Sequence, residues 1–358
     1  MKRPESLYRP WVDRTARHIP DPLWRLRYLQ AVAPPQPAPS RSRLWQVLAI
    51  SAACALFVGA APPRRPPVVR PLPTRSIAAA PSSPVPRVWA VETTAAYDLY
   101  SNGLRIENRY AIGNRPRAWR TFPLNGDAPA ASAGRTDPAG IVYHTTESLQ
   151  APFEPSQNTV LKHVSESLAE YVQRRRAYNF LIDRFGRVYR IVREQDAANH
   201  AGHSVWADDT AVYIGLNDSF LGISFEAETG VLPAADKVNG AQVRAAAMLT
   251  EMLRARYQIP ARNCVTHAQV SVNPANFRIG YHTDWASSFP FDRLGLPDNY
   301  ALPLPAITLF GFTYDETFLS RAGARLSAAA RESPIPDRRS ARRLWSSWAK
   351  SSVAEVSH

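Results

Sequence analysis

Between residues 137 and 300, short apolar runs and long amphipathic stretches follow in the order strand, helix, strand pair, strand, helix. That order restricts the fold more than any other feature of the chain. It predicts an α/β domain in which a mixed central β-sheet is flanked by helices. The first run, Gly140-Ile141-Val142-Tyr143, is β-branched and aromatic, as suits an enclosed strand. Residues 159–177 carry helical periodicity, and 178–192 read as two strands joined by a turn at Arg184-Phe185-Gly186. Residues 220–228 read as another strand. Residues 240–259 form an amphipathic helix with Ala, Leu and Met at core spacing.

The remainder of the 358 residues is of a different character. Residues 1–43 form a basic N-terminal segment with nine Lys/Arg and three Asp/Glu. Residues 44–61, "LWQVLAISAACALFVGAA", carry no charge and are long enough for a single membrane anchor, with Trp45 at the interface. A cleavable signal peptide competes with this, since Val58-Gly59-Ala60 resembles a cleavage site, but the long polar stretch before it favours a retained anchor. Residues 62–87 are a Pro-rich linker, with nine prolines between Pro62 and Pro86. Residues 88–136 form an extension with a β-hairpin signal at Asn102-Gly103. The segment 301–358 is expected to end in one helix and a basic tail of weak order.

The net charge of +13 first suggests nucleic acid or a membrane surface. Between Pro138 and Tyr300, however, 15 Lys+Arg stand against 17 Asp+Glu, so the excess lies in the ends and nucleic acid is not an expected partner. Only Cys54 and Cys264 are present, in unlike surroundings, which provides no disulfide framework and no thiolate metal cluster. Cys264 reads as a small core residue.

Any metal site must therefore be built from His and carboxylate. His144 ends the first strand, where a side chain points into a cleft; alone, it could equally be a hydrogen-bonded core residue. His267 follows the short apolar run in "NCVTHAQVS". His282 and Asp284 lie in the polar loop "IGYHTDWASSFPFD". Two separated histidines and an aspartate are a common open zinc site, with the fourth position left for water.

The set "GIVYHTTES", "YNFLIDRFGRVYRI", "NHAG", "NDSFLGISFEAE", "VTHAQV" and "HTDWASSFPFD", in that order, resembles the zinc-dependent N-acetylmuramoyl-L-alanine amidases. That family, amidase type 2, includes the peptidoglycan recognition proteins. The resemblance covers roughly residues 140–295. It implies Zn2+ held by His144, His267 and Asp284, and hydrolysis of the amide between N-acetylmuramic acid and L-alanine in peptidoglycan. It also implies Tyr178 as a supporting catalytic residue. Where the family has a lysine two residues before the third ligand, this chain has His282, a candidate catalytic residue that could still donate a hydrogen bond to the oxyanion. The carboxylate base expected after Gly-Ile is Ser224 here, and Glu226, two residues on, shares its strand face and could reach the same cleft. Glu226 is thus a candidate general base, with a solvent-facing strand residue as the alternative. His200 matches a position lining the substrate groove, and Thr145 is a candidate substrate contact beside it. The Pro-Gly that usually follows the third ligand is replaced by Trp285-Ala286. With the anchor and linker, these features imply a single-pass inner-membrane protein whose catalytic domain faces the periplasmic side, with peptidoglycan as partner. A non-catalytic peptidoglycan-binding module on the same fold is the alternative.

Overall fold

The computed structural model describes residues 87–124, 134–148, 150–228 and 238–353. The basic segment, the anchor expected at 44–61 and Cys54 lie outside these residues, as does all of the Pro-rich linker but its last residue. Among the described residues no helix is long and apolar enough to cross a membrane.

The strands are β1 (Ala90–Thr93), β2 (Tyr97–Tyr100), β3 (Arg105–Glu107), β4 (Phe122–Pro123), β5 (Gly140–Thr145), β6 (Phe180–Ile182), β7 (Val188–Arg190), β8 (Val205–Ala207), β9 (Ala211–Ile214), β10 (Phe220–Phe225), β11 (Cys264–Thr266), β12 (Val272–Asn273) and β13 (Arg278–Ile279). The helices are α1 (Asn158–Arg175), α2 (Leu216–Ser219), α3 (Gly240–Tyr257), α4 (His267–Val270), α5 (Pro305–Thr308), α6 (Glu316–Arg321), α7 (Ala324–Glu332) and α8 (Arg338–Val353).

Eight strands form one mixed sheet in the order β1-β2-β3-β7-β6-β10-β5-β11. Its centre is parallel: β5 pairs in this sense with β10 and β11, and β10 with β6. Every position of β5 and β10 is buried, as befits parallel strands covered on both faces. Side-chain alternation sorts the two faces. Tyr143, Ile223 and Phe225 join Val243, Ala246 and Leu249 of α3 in the larger core. Tyr143 also places its hydroxyl 2.8 Å from Thr250 Oγ1 on that helix. On the opposite face, Leu181 and Tyr189 meet Ala169 and Val172 of α1. Val142 and Phe220 there meet Trp206 and Tyr213 of a small sheet, β4-β9-β8. Each such buried aliphatic or aromatic side chain is worth about 1.5–3 kcal/mol relative to exposure.

Both long helices are anchored by their ends. Asn239 and Gln242 form a reciprocal capping box at the start of α3. Arg174 and Arg175 fall in the last turn of α1, where cations complement the helix dipole.

Two sequence expectations need correction. The segment 88–136 is no separate extension: its hairpin strands β2 and β3 continue the main sheet, with Ile106 opposite Val188. A buried ion cluster ties the same junction, since Arg190 lies 2.7 Å from Asp98 and 2.9 Å from Glu194. The described residues of the segment 301–358 form four helices rather than one followed by a loose tail. Trp345 and Trp348 of α8 are buried, and Trp348 stacks on Phe122 with centroids 4.7 Å apart. The arginines that made this stretch look like a tail occupy the helix's outer side. The Asn102-Gly103 turn and buried Cys264 are as expected.

Candidate metal centre

His144 stands near the carboxyl end of the central strand β5, opposite Ser224 of β10. His267 follows β11, the neighbour of β5 on the other side, so two imidazoles leave adjacent parallel strands at the same end. Crevices at the carboxyl ends of parallel strands are the usual place for ligands. A capping box between Thr266 and Gln269 fixes the backbone around His267. Asp284 comes from the loop after β13 and is held beside His267 by Ala268 N–H donating to Asp284 O at 3.2 Å.

These three side chains gather as a group whose potential ligand atoms all lie within 4.8 Å of one another. His144 Nδ1 is 3.2 Å from Asp284 Oδ2, and His267 Nδ1 is 2.8 Å from Asp284 Oδ1. Donors around a tetrahedral zinc with bonds of about 2.0–2.1 Å stand about 3.3 Å apart, so these separations suit ligands sharing one ion. His267 Nε2 is buried without a hydrogen-bond partner. Burial pushes the His144 imidazole down to about 4, with repulsion from His267 adding to the effect and Asp284 opposing it. It is therefore neutral at neutral pH, the form that binds a metal. Burial opposes the charge on Asp284, but the facing His267 and the contacts with both imidazoles outweigh it and hold the carboxyl below the usual carboxylate range. Two nitrogen donors and one carboxylate fit zinc, with a position left open.

The other expected residues fall into three places. Tyr178 and His282 flank the group. The Tyr178 ring centroid lies 5.1 Å from that of His144, and the residue adopts a left-handed φ of 61°. Such a conformation is uncommon outside glycine and gathers at functional sites. Burial raises the Tyr178 hydroxyl well above its ordinary pKa, so it stays a proton donor. His282 stacks on His267 at 4.8 Å and is itself edge-on to the exposed Tyr281. Burial and His267 both lower its pKa. Thr145 is buried and its hydroxyl donates to Glu147.

His200 and Glu226 require correction. His200 Nδ1 is 3.1 Å from His144 Nε2, and its Nε2 is 3.2 Å from Phe220 O, so both nitrogens are engaged within the protein. Glu226 shares the strand face of Ser224, as alternation demands, yet its carboxylate does not join the group. It accepts from Ser165 Oγ of α1 at 2.6 Å and from the Arg184 amide at 3.2 Å. It is 1% exposed, which also excludes the solvent-facing alternative.

Trp285 is the functional residue that sequence reasoning overlooked. It is fully buried, has φ 55°, and its indole N–H donates to His144 O at 3.0 Å. Tyr300 Oη in turn donates to Trp285 O at 2.6 Å. The absence of the usual Pro-Gly was the available signal: Trp285 stands at the proline's position, in a left-handed conformation that proline cannot adopt, and its indole grips the ligand strand.

Residues 134–284 match the family described as N-acetylmuramoyl-L-alanine amidase. Among solved structures, the chain is similar to AmpDh3 of Pseudomonas aeruginosa, in complex with an anhydromuramic pentapeptide (19% identity, TM-score 0.34). That similarity covers 48% of this chain and 64% of the other, under two thirds of its length. It is also similar to the amidase AmiD of E. coli in complex with anhydro-N-acetylmuramic acid-L-Ala-D-gamma-Glu-L-Lys, at 22% identity over 56% of this chain and 65% of that one, TM-score 0.33. A third, the amidase LysC of Clostridium intestinale, shares 19% identity over 51% of this chain and 93% of that one, TM-score 0.28. No curated protein matches.

Proposed function

We propose, from the premise that residues 134–284 form an N-acetylmuramoyl-L-alanine amidase domain, that this chain cleaves the amide between N-acetylmuramic acid and L-alanine in peptidoglycan with the aid of zinc. The observation that carries the zinc reading is the convergence of His144, His267 and Asp284 within the matched segment.

His144, His267 and Asp284 would hold the ion, which when bound supplies Lewis acidity to the scissile carbonyl and acidity to the attacking water. The protein's own groups divide the remaining work. Tyr178, kept protonated by burial, is suited to donate a hydrogen bond to the oxygen that becomes negative in the tetrahedral transition state. His282, whose pKa burial and the neighbouring His267 lower, is suited to take a proton from water and return it to the leaving amine. Glu226 stays outside this scheme because Ser165 and Arg184 occupy its carboxylate.

The reading extends to location: an anchor at 44–61 and a linker at 62–87 would hold the domain on the periplasmic side of the inner membrane, facing its polymer.

The test is peptide release from purified sacculi by the full-length protein. New L-alanine amino termini that disappear on chelation and return with zinc support the reading. Sacculi that retain the protein yet stay uncut replace it with a binding module.

A further inference from the structure

We infer that His200 is a positioning residue that selects which nitrogen of His144 faces the metal; this rests on the zinc reading above. A carbonyl oxygen only accepts hydrogen bonds, so His200 Nε2, 3.2 Å from Phe220 O, carries that ring's proton. In the neutral ring Nδ1 is then an acceptor. It lies 3.1 Å from His144 Nε2, which supplies the matching donor only if the His144 proton sits on Nε2. His144 consequently turns the bare lone pair of Nδ1 toward Asp284 Oδ2, 3.2 Å away. Two acceptors facing each other at that distance repel unless a cation lies between them. Starting from one backbone carbonyl, the order of protons along the two rings therefore prepares a cation position at a defined atom.

The surroundings of His200 hold it to this task. Its backbone N–H and that of Ala201 both donate to Asn217 Oδ1, at 2.9 and 2.6 Å. It packs closely on Gly222 of β10, where an added Cβ would stand 2.6 Å from the ring's Cγ. Nothing larger than hydrogen fits there without moving the imidazole. Metal-bound histidines usually give their second N–H to a carboxylate, a carbonyl or water. Here a neutral imidazole stands between the ligand and the carbonyl, so the tautomer is fixed without placing a further negative charge beside the ion.

The test measures zinc affinity of the full-length protein by competition with a chelating dye, together with hydrogen exchange of imidazole N–H groups in 15N-histidine-labelled, zinc-loaded protein. His200→Phe fills the space but accepts nothing, and Gly222→Ala displaces the ring while leaving every ligand in place. Each is expected to weaken zinc binding about 10–100-fold, the usual size for loss of such an outer partner. His200→Gln has both an acceptor and a donor, and should stay within about threefold of the parent on the same scale. The parent should show a slowly exchanging N–H on His144 Nε2 that becomes fast in H200F. Equal affinity and unchanged exchange in H200F overturn the inference, as does equal loss in H200Q, which would make His200 mere filling. Absence of zinc binding by the parent overturns the zinc reading itself and the inference with it.

Discussion

Replacing Trp285 by Phe tests whether the loop that carries Asp284 is fastened to the strand that carries His144. The indole N–H donates to His144 O at 3.0 Å, and the side chain is fully buried between Phe225 and Phe289, with centroids at 5.6 and 5.2 Å. Phe lacks one nitrogen and two carbons relative to Trp. The two carbons are worth about 0.8 kcal/mol each, or about 1.6 kcal/mol together. Leaving the His144 carbonyl buried without its donor adds about 1–3 kcal/mol. The backbone strain at φ 55° is unchanged, because Phe tolerates the left-handed region no better than Trp. The sum is a loss of roughly 3–5 kcal/mol. Equilibrium urea unfolding of the metal-free protein, followed by far-UV circular dichroism, measures it. Tyr300→Phe serves as comparison: it removes the 2.6 Å bond to Trp285 O and the acceptor that Phe289 N–H meets at 3.2 Å, and should cost about 1–3 kcal/mol. A loss below about 1 kcal/mol for W285F would refute the reasoning, since neither the cavity nor the carbonyl would then carry its expected weight.

Arg190→Met leaves Asp98 and Glu194 buried without their partner and should destabilise the protein by about 3–5 kcal/mol in the same assay, against the near-neutral result expected of a surface pair. Glu226→Gln should leave sacculus cleavage within a few-fold of the parent; a fall of about 10²–10⁴-fold, the size of a general base's contribution, would return Glu226 to the catalytic scheme. In metal-free protein, His144 titrates at about 4 when folded, against about 6.5 when unfolded. The unfolded chain thus binds a proton in that window that the folded chain refuses, so stability declines as pH falls from about 6.5 to about 4, by up to about 3 kcal/mol. His200, also held well below its ordinary value by burial, adds a slope of the same sign, and a flat stability profile across the window would contradict both shifts.

The parts of this architecture that local pattern governs were legible in the sequence. The run ending at His144, the helices carrying Leu161 and Leu249 and the turn at Gly186 follow from residue type and period, whereas the ligand set His144, His267 and Asp284 came from the order of motifs that the family resemblance supplied. What escaped depends on distance or reach. Alternation placed Glu226 on the right strand face, but the face does not say how far a carboxylate extends. Ser165, 61 residues earlier on α1, claims it first. His200 shares a groove motif with substrate contacts, yet its partner His144 lies 56 residues away and only the fold reveals that its nitrogens are spent. The docking of β3 on β7 likewise pairs Ile106 with Val188 across a span no local signal bridges. In α8, four arginines mask the two tryptophans, which recur one turn apart on the buried side.

The stack of Trp348 on Phe122 also has a bearing on timing. A chain made from its N-terminus exposes β1 to β3 long before β7 exists to receive them, and β5 waits for both β10 and β11. Phe122 then waits for a residue far along the chain. Contacts of such separation are slow to form and leave apolar edges open meanwhile. Until residue 348 has been made, a nearly complete sheet still shows Phe122 to any chaperone at hand, so this stack is among the last contacts to close.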